Sequence, residues 1–135
     1  MNNFGSPDYG ITKIIEQTDF QDAIDRVTAC LADNGFGVLT SIDVQGTFKQ
    51  KIGEDVPRYT VLGACNPKLA FQALSMDPGF GILMPCSVVV AEQPDGRIAI
   101  SVGEPSALFK ALDRDDLDDF AQMVRAPLQA AIDAL

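Results

Sequence analysis

Two short stretches set sulfur beside structural punctuation: GACNPK at 63–68 and MPCS at 84–87. Cys65 stands one residue before Asn66-Pro67. Asn is a favoured N-cap and Pro a favoured first helical residue. The pair predicts a helix that starts just past the thiol. Free amides and the positive end of that helix dipole favour thiolate at such a position. Lys68, in the expected first turn, adds positive charge. Cys86 begins or continues a strand directly after Pro85. If the two strands are neighbours, the sulfurs meet, and a disulfide requires Cα atoms within about 7 Å.

Several chemistries fit these residues. Buried free cysteine often behaves as a small hydrophobe, and Cys30, beside Leu31 on the first expected helix, suits that description best. Cys65 as nucleophile with Cys86 as resolving partner would make a redox protein or thiol enzyme. Cys65, Cys86 and Met84 are soft donors suited to copper(I). The cysteine spacing is not C-x-x-C, so thioredoxin-like and zinc-ribbon sites are not indicated, and no metal site is assigned. Charge offers another reading. Lys49, Lys51, Arg58 and Lys68 lie close in sequence, opposed there only by Glu54 and Asp55. With a helix N-terminus nearby, they suit a small anion. The leading expectation is a binding domain, more plausibly than an enzyme. It would hold a small anionic or thiol-reactive ligand near Cys65, Asn66, Lys68, Cys86, Lys49 and Lys51. A purely structural interaction module is the remaining alternative.

Composition narrows the classes further. The chain has 135 residues, a formal net charge of -9 and no histidine. Without histidine, serine-histidine and cysteine-histidine catalysis are excluded within one chain, and the commonest zinc ligand is missing. The acidic balance (pI about 4.2) repels phosphate backbones and anionic membranes, so neither nucleic acid nor membrane is an expected partner. No segment approaches the ~20 apolar residues of a membrane span. An odd cysteine count without a secretion signal favours a reducing cytoplasm. No cofactor motif is present: GFG and GFGIL lack both the Walker lysine and the dinucleotide-binding glycine spacing. DRDDLDDF reads as a helix start, because it lacks the glycine and ligand spacing of a calcium loop. Asp43 reads as a strand-end turn former, and Glu92 as a solvated strand end.

The elements that must position these residues follow from periodicity, within a single domain spanning 1–135. Residues 9–16 read as a strand. Thr18 and Gln21 have capping-box spacing ahead of a helix with Phe20, Ala23, Ile24, Val27 and Leu31 on one stripe, stopped at Asn34-Gly35. FGVLTSIDV (36–44) alternates as a strand. Thr47 and Gln50 repeat the capping-box spacing before a short helix closed by Gly53. YTVLGAC (59–65) reads as a buried strand. Leu69, Ala70, Ala73 and Leu74 form the inner face of the helix after Asn66. FGILMPCSVVVAE reads as one long strand, or two joined at Met84-Pro85. QPDGR turns it into RIAISV. EPSALFKAL starts a short helix, and residues 115–135 carry a long apolar stripe with a kink expected before Pro127. The interleaving predicts a two-layer α+β fold: a mostly antiparallel curved sheet with helices on one face. The strand edges of such a sheet predict a homodimer.

GFGVLTSIDV, GACNPKLAFQAL and GFGILMPCSVVV, with the helix that precedes them, resemble the domain of unknown function 302 family over about residues 8–135. The CNPKLA and LMPC elements are the most specific parts. The resemblance implies a two-layer α+β fold of the TATA-binding-protein-like type. It implies no activity, only that the two cysteine elements belong together.

Overall fold

The computed structural model describes residues 1–16 and 19–135. Five strands form one antiparallel sheet: β1 (Gly10–Ile15), β2 (Gly37–Asp43), β3 (Tyr59–Cys65), β4 (Cys86–Glu92) and β5 (Ile98–Gly103). Their order is β1-β5-β4-β3-β2. The helices are α1 (Phe20–Asp33), α2 (Val44–Ile52), α3 (Pro67–Met76), α4 (Pro105–Lys110) and α5 (Asp118–Asp133). This is the expected two-layer α+β architecture. Because β1 and β2 lie at opposite edges of the sheet, α1 links one edge to the other.

Alternation decides which face of the sheet is covered. Ile11 and Ile15 of β1, Leu62 and Ala64 of β3, Val88 and Val90 of β4, and Ile98, Ile100 and Val102 of β5 enter one core. There they meet Ala23, Val27 and Leu31 of α1 and Phe120, Leu128 and Ile132 of α5. The 3.6-residue repeat of α1 presents such a stripe to a sheet whose inward residues repeat every second position. On the opposite face the inner strands carry small residues: Ala91, Ala99 and Ser101. The leading residues touch this face at two points. Phe4 donates its amide to Gln93 Oε1 at 2.9 Å, and the Pro7 ring lies beside Gly10 and Ser101.

Local chemistry moves several expected boundaries. Thr18 lies outside the described residues, and α1 is capped by Asp19, whose Oδ1 accepts the Asp22 amide at 2.9 Å. The capping box expected at Thr47–Gln50 is not a helix start. Asp43 accepts the Gly46 amide at 3.0 Å, so α2 begins at Val44 and Thr47 already lies inside it. Gly53 does close α2, with φ of 70°, a conformation that suits glycine. In β2 the alternation fails, because a register shift between Val38 and Thr40 interrupts it. Buried Phe36 precedes the strand, while Leu39 and Ile42 are 68% and 53% exposed. FGILM is not a strand. Asp77 accepts the Gly79 amide at 2.8 Å and starts a 3-10 segment, Pro78–Leu83, which buries Phe80. The strand itself begins at Cys86, after a cis Met84–Pro85 peptide. Pro127 lies inside α5, which continues to Asp133.

Leu128 is fully buried between α5 and the sheet. Leu128→Ala is expected to cost about 2–5 kcal/mol, as large-to-small core changes do. Phe71→Ala, at a position 77% exposed, should change stability by less than about 0.5 kcal/mol. Urea unfolding of the two variants measures the contrast.

Candidate functional site

The two cysteine elements meet where the sheet ends. β3 and β4 pair antiparallel with Ala64 opposite Cys86 and Gly63 opposite Ser87. Cys65 is therefore one residue beyond the cross-strand partner of Cys86. Gly63 makes the approach of the two segments possible. A Cβ at that position would sit 2.7 Å from Pro85 Cγ and would also collide with the Thr40 hydroxyl. The strand thus gives up a side chain where the proline ring lies across it.

Beyond Cys65 the chain turns into α3 as the sequence predicts. Asn66 Oδ1 accepts the Leu69 amide at 3.2 Å, and Pro67 occupies the first turn. The inner face of α3 departs from expectation. Ala73 is 3% exposed, Leu69 and Ala70 are only half-buried, and Leu74 is exposed. Leu69 and Ala70 line a hollow of about 230 Å³ beneath the helix, whereas Leu74 is not part of its lining.

Several elements wall that hollow. Its wall from the sheet is Ala64, Cys65, Cys86, Ser87 and Gly103. α3 contributes Leu69, Ala70 and Ala73, and the segment before β4 contributes Phe80, Leu83, Met84 and Pro85. α4 and α5 close the far side with Pro105, Leu108, Phe109, Phe120 and Val124. Phe80, Phe109 and Phe120 form one aromatic cluster with centroids 5.8–6.3 Å apart, the last two stacked. The lining holds no carboxylate and no cation. Glu104 caps α4 just outside, accepting the Ala107 amide at 3.0 Å, and pairs with Arg125 at 3.0 Å.

The structure brings Cys65, Asn66, Cys86 and Met84 to one cavity. It does not bring the lysines there. Lys68 is exposed and is not part of the lining. Lys49 and Lys51 lie on α2, which leaves β2 at Asp43; Asp43 pairs with Thr60, whereas Cys65 pairs with Gly37 at the other end. Lys49 instead pairs with Asp55 at 3.0 Å. Proximity in sequence misleads because a β-strand separates the two groups by its full length. Cys30 packs against the core from α1 and is absent from the cavity. All three cysteines are free. Among the described residues no group of three His, Cys, Asp or Glu side chains is gathered for a metal. Residue periodicity did not reveal the Leu69, Leu108, Phe109 and Phe120 wall, since residues facing a hollow repeat like residues facing a core.

The family model for "Domain of unknown function DUF302" matches residues 11–135. The chain belongs to this family. Among solved structures, an uncharacterized conserved DUF302 protein from Bacillus stearothermophilus is similar, with a TM-score of 0.87 and 24% identity. The match covers 95% of this chain and 98% of that one. At that identity the DUF302 likeness speaks for the fold alone. No curated protein matches the chain. No helix among its described residues is long and apolar enough to cross a membrane.

Burial, and secondarily the neighbouring Cys65, push the Cys86 thiol above its ordinary range. Its thiolate is therefore scarcer at neutral pH than that of a free thiol, and thiolate is the attacking form. Iodoacetamide labelling of Cys86, followed by peptide mass spectrometry, should be slower than that of an unstructured cysteine. It should rise only as pH climbs past the ordinary thiol range. The linkage has the matching sign: the raised pKa contributes stability that is present at lower pH and is lost as pH rises through the folded value.

Proposed function

We propose that this DUF302 domain is a binding protein for a small, mostly apolar ligand held between α3, α4 and the sheet end, with Cys65 and Cys86 in its wall. The single observation that supports this is the chemistry of the lining: hydrocarbon and aromatic surface with a few polar atoms, the usual composition of a ligand pocket. At about 230 Å³ the hollow is smaller than the roughly 300–1,000 Å³ of drug-sized sites, which favours a compact molecule. An anionic group finds support only at the rim, where Asn66 and the start of α3 lie. The apolar lining favours a neutral body with at most one polar end. Thiols in the wall suit a ligand with thiol-reactive character, and a redox pair remains the second reading of the same residues.

Titration with the neutral fluorophore N-phenyl-1-naphthylamine tests the reading. Saturable binding is expected, and Ala70→Trp, which projects bulk into the hollow, should weaken it by about tenfold or more, or ~1.4 kcal/mol. Leu39→Ala, on distant β2, should leave it unchanged. Non-saturating fluorescence, or indifference to Ala70→Trp, would count against the pocket.

Self-association in pairs is a further part of the proposal. β2 is outermost in the sheet, has no charged residue before Asp43, and exposes Leu39 and Ile42. Unguarded edges of this kind favour pairing. Sedimentation equilibrium should return twice the 14.5 kDa chain mass, and Thr40→Pro, placed to block an added strand, should return the monomer. A wild-type monomer at all concentrations would remove this part. The three free thiols suit a reducing compartment such as the cytoplasm.

A further inference from the structure

We propose that the hollow selects an uncharged aromatic compound of two fused rings, lodged between the Phe80, Phe109 and Phe120 cluster and the sulfurs of Met84 and Cys86. The proposal rests on the pocket reading above and narrows it to one ligand class.

Size and shape point to rings. An apolar cavity of about 150 Å³ holds benzene, and about 230 Å³ leaves room for a second ring. Three phenylalanines line it. Phe109 and Phe120 lie nearly parallel at 6.1 Å, and Phe80 is tilted to them by 57° and 51°. Aromatic pairs favour offset-stacked or edge-to-face contacts, and this cluster presents rings in both orientations. Phe80 is held from outside: Arg114 Cζ lies 5.9 Å from its ring centre and the same guanidinium pairs with Asp77 at 3.1 Å. A slot formed before the ligand enters lowers the ordering cost of binding.

The opposite wall is polarizable. Cys86 shares the covered face of β4 with Val88 and Val90, whereas Cys65 and Ser87 alternate to the other face. Met84 packs on the same core as Cys86. Met84 and Cys86 are therefore the sulfurs on the hollow's side of the sheet. Sulfur makes favourable contacts with aromatic rings, which a saturated ring forgoes.

Charge is excluded. No acidic or basic residue belongs to the lining. Burial pushes the Cys86 thiol up, which keeps it neutral. Outside, Arg125 is paired with Glu104, and Arg114 with Asp77 and Asp116. A carboxylate would enter without a cation to meet it, and an unpaired buried charge is costly. Fatty acids and aromatic acids are thereby disfavoured.

Calorimetric titration of the full chain at neutral pH with 2-naphthol, decahydro-2-naphthol and 2-naphthoate tests the proposal. The first two share one carbon skeleton and differ in aromaticity. 2-Naphthol should bind about tenfold tighter than its saturated counterpart, or ~1.4 kcal/mol. 2-Naphthoate should bind about a hundredfold more weakly than 2-naphthol, or not measurably. Phe109→Leu, at a half-buried position, should bring the aromatic preference below about threefold. Leu39→Ala, outside the lining, should leave it unchanged. Equal or stronger affinity for the saturated alcohol, or binding of neither alcohol, beside saturable N-phenyl-1-naphthylamine binding, would leave the pocket standing and overturn the aromatic preference. Failure of all these compounds to bind would remove pocket and preference together. Naphthoate binding as tightly as naphthol, or a preference untouched by Phe109→Leu, would also overturn the proposal. If Phe109→Leu does not fold, the volume-conserving Met84→Leu takes its place, and the wild-type comparison of the three ligands needs no variant.

Discussion

Gly63 meets Pro85 at the point where β3 passes β4, and the geometry of the whole sheet end follows from that contact. Any side chain at 63 would have to displace the proline ring. With hydrogen there instead, β3 and β4 stay paired as far as Ala64 opposite Cys86, one residue short of the end of β3. The turn into α3 then starts at a fixed place, and Asn66 caps a helix that roofs the hollow rather than filling it. Protein interiors normally reach the packing density of organic crystals. A cavity therefore persists only where rigid elements span it, here the sheet end, α3 and the paired α4 and α5.

The hollow has contrasting walls. On one side the Phe80, Phe109 and Phe120 rings bring large area and fixed shape. On the other, the sulfurs and the free end of α3 bring polarizable atoms and a directed field. Charge is kept to the outside. Arg114 sits over the outer face of Phe80 and pairs with Asp77 and Asp116, while Arg125 holds Glu104. These partly exposed pairs add little to stability singly. Their effect is to leave no unpaired carboxylate facing the hydrocarbon.

How far the primary structure discloses this arrangement varies with the physics of each element. The stripe of α1 and the runs in β3 and β5 were legible because burial on a regular repeat leaves a periodic trace. Asn66-Pro67 and Gly53 were legible because caps and left-handed turns demand particular residues. FGILM was not. Its apolar run fits a strand, and only the Asp77 cap and the burial of Phe80 make it a 3-10 segment. The start of α2 was hidden by two equivalent cap sequences, of which Asp43 prevailed. At the site, the sequence makes a meeting of the two sulfurs conditional on neighbouring strands; β3 and β4 are neighbours, with Ala64 rather than Cys65 opposite Cys86. The lysines were grouped with them on proximity along the chain, which a full-length strand undoes. The aromatic wall left no trace of its own.

The displaced register in β2 has a consequence for how this chain behaves when crowded. An uninterrupted outer strand is a template on which further chains add without limit, as in cross-β fibrils. The extra residue between Val38 and Thr40 bends and twists such an edge. Backbone groups on its outer side then fall out of line after a few bonds. Such an edge suits the one added strand of a pair better than unlimited growth, and it does so without a single lysine or proline on the strand.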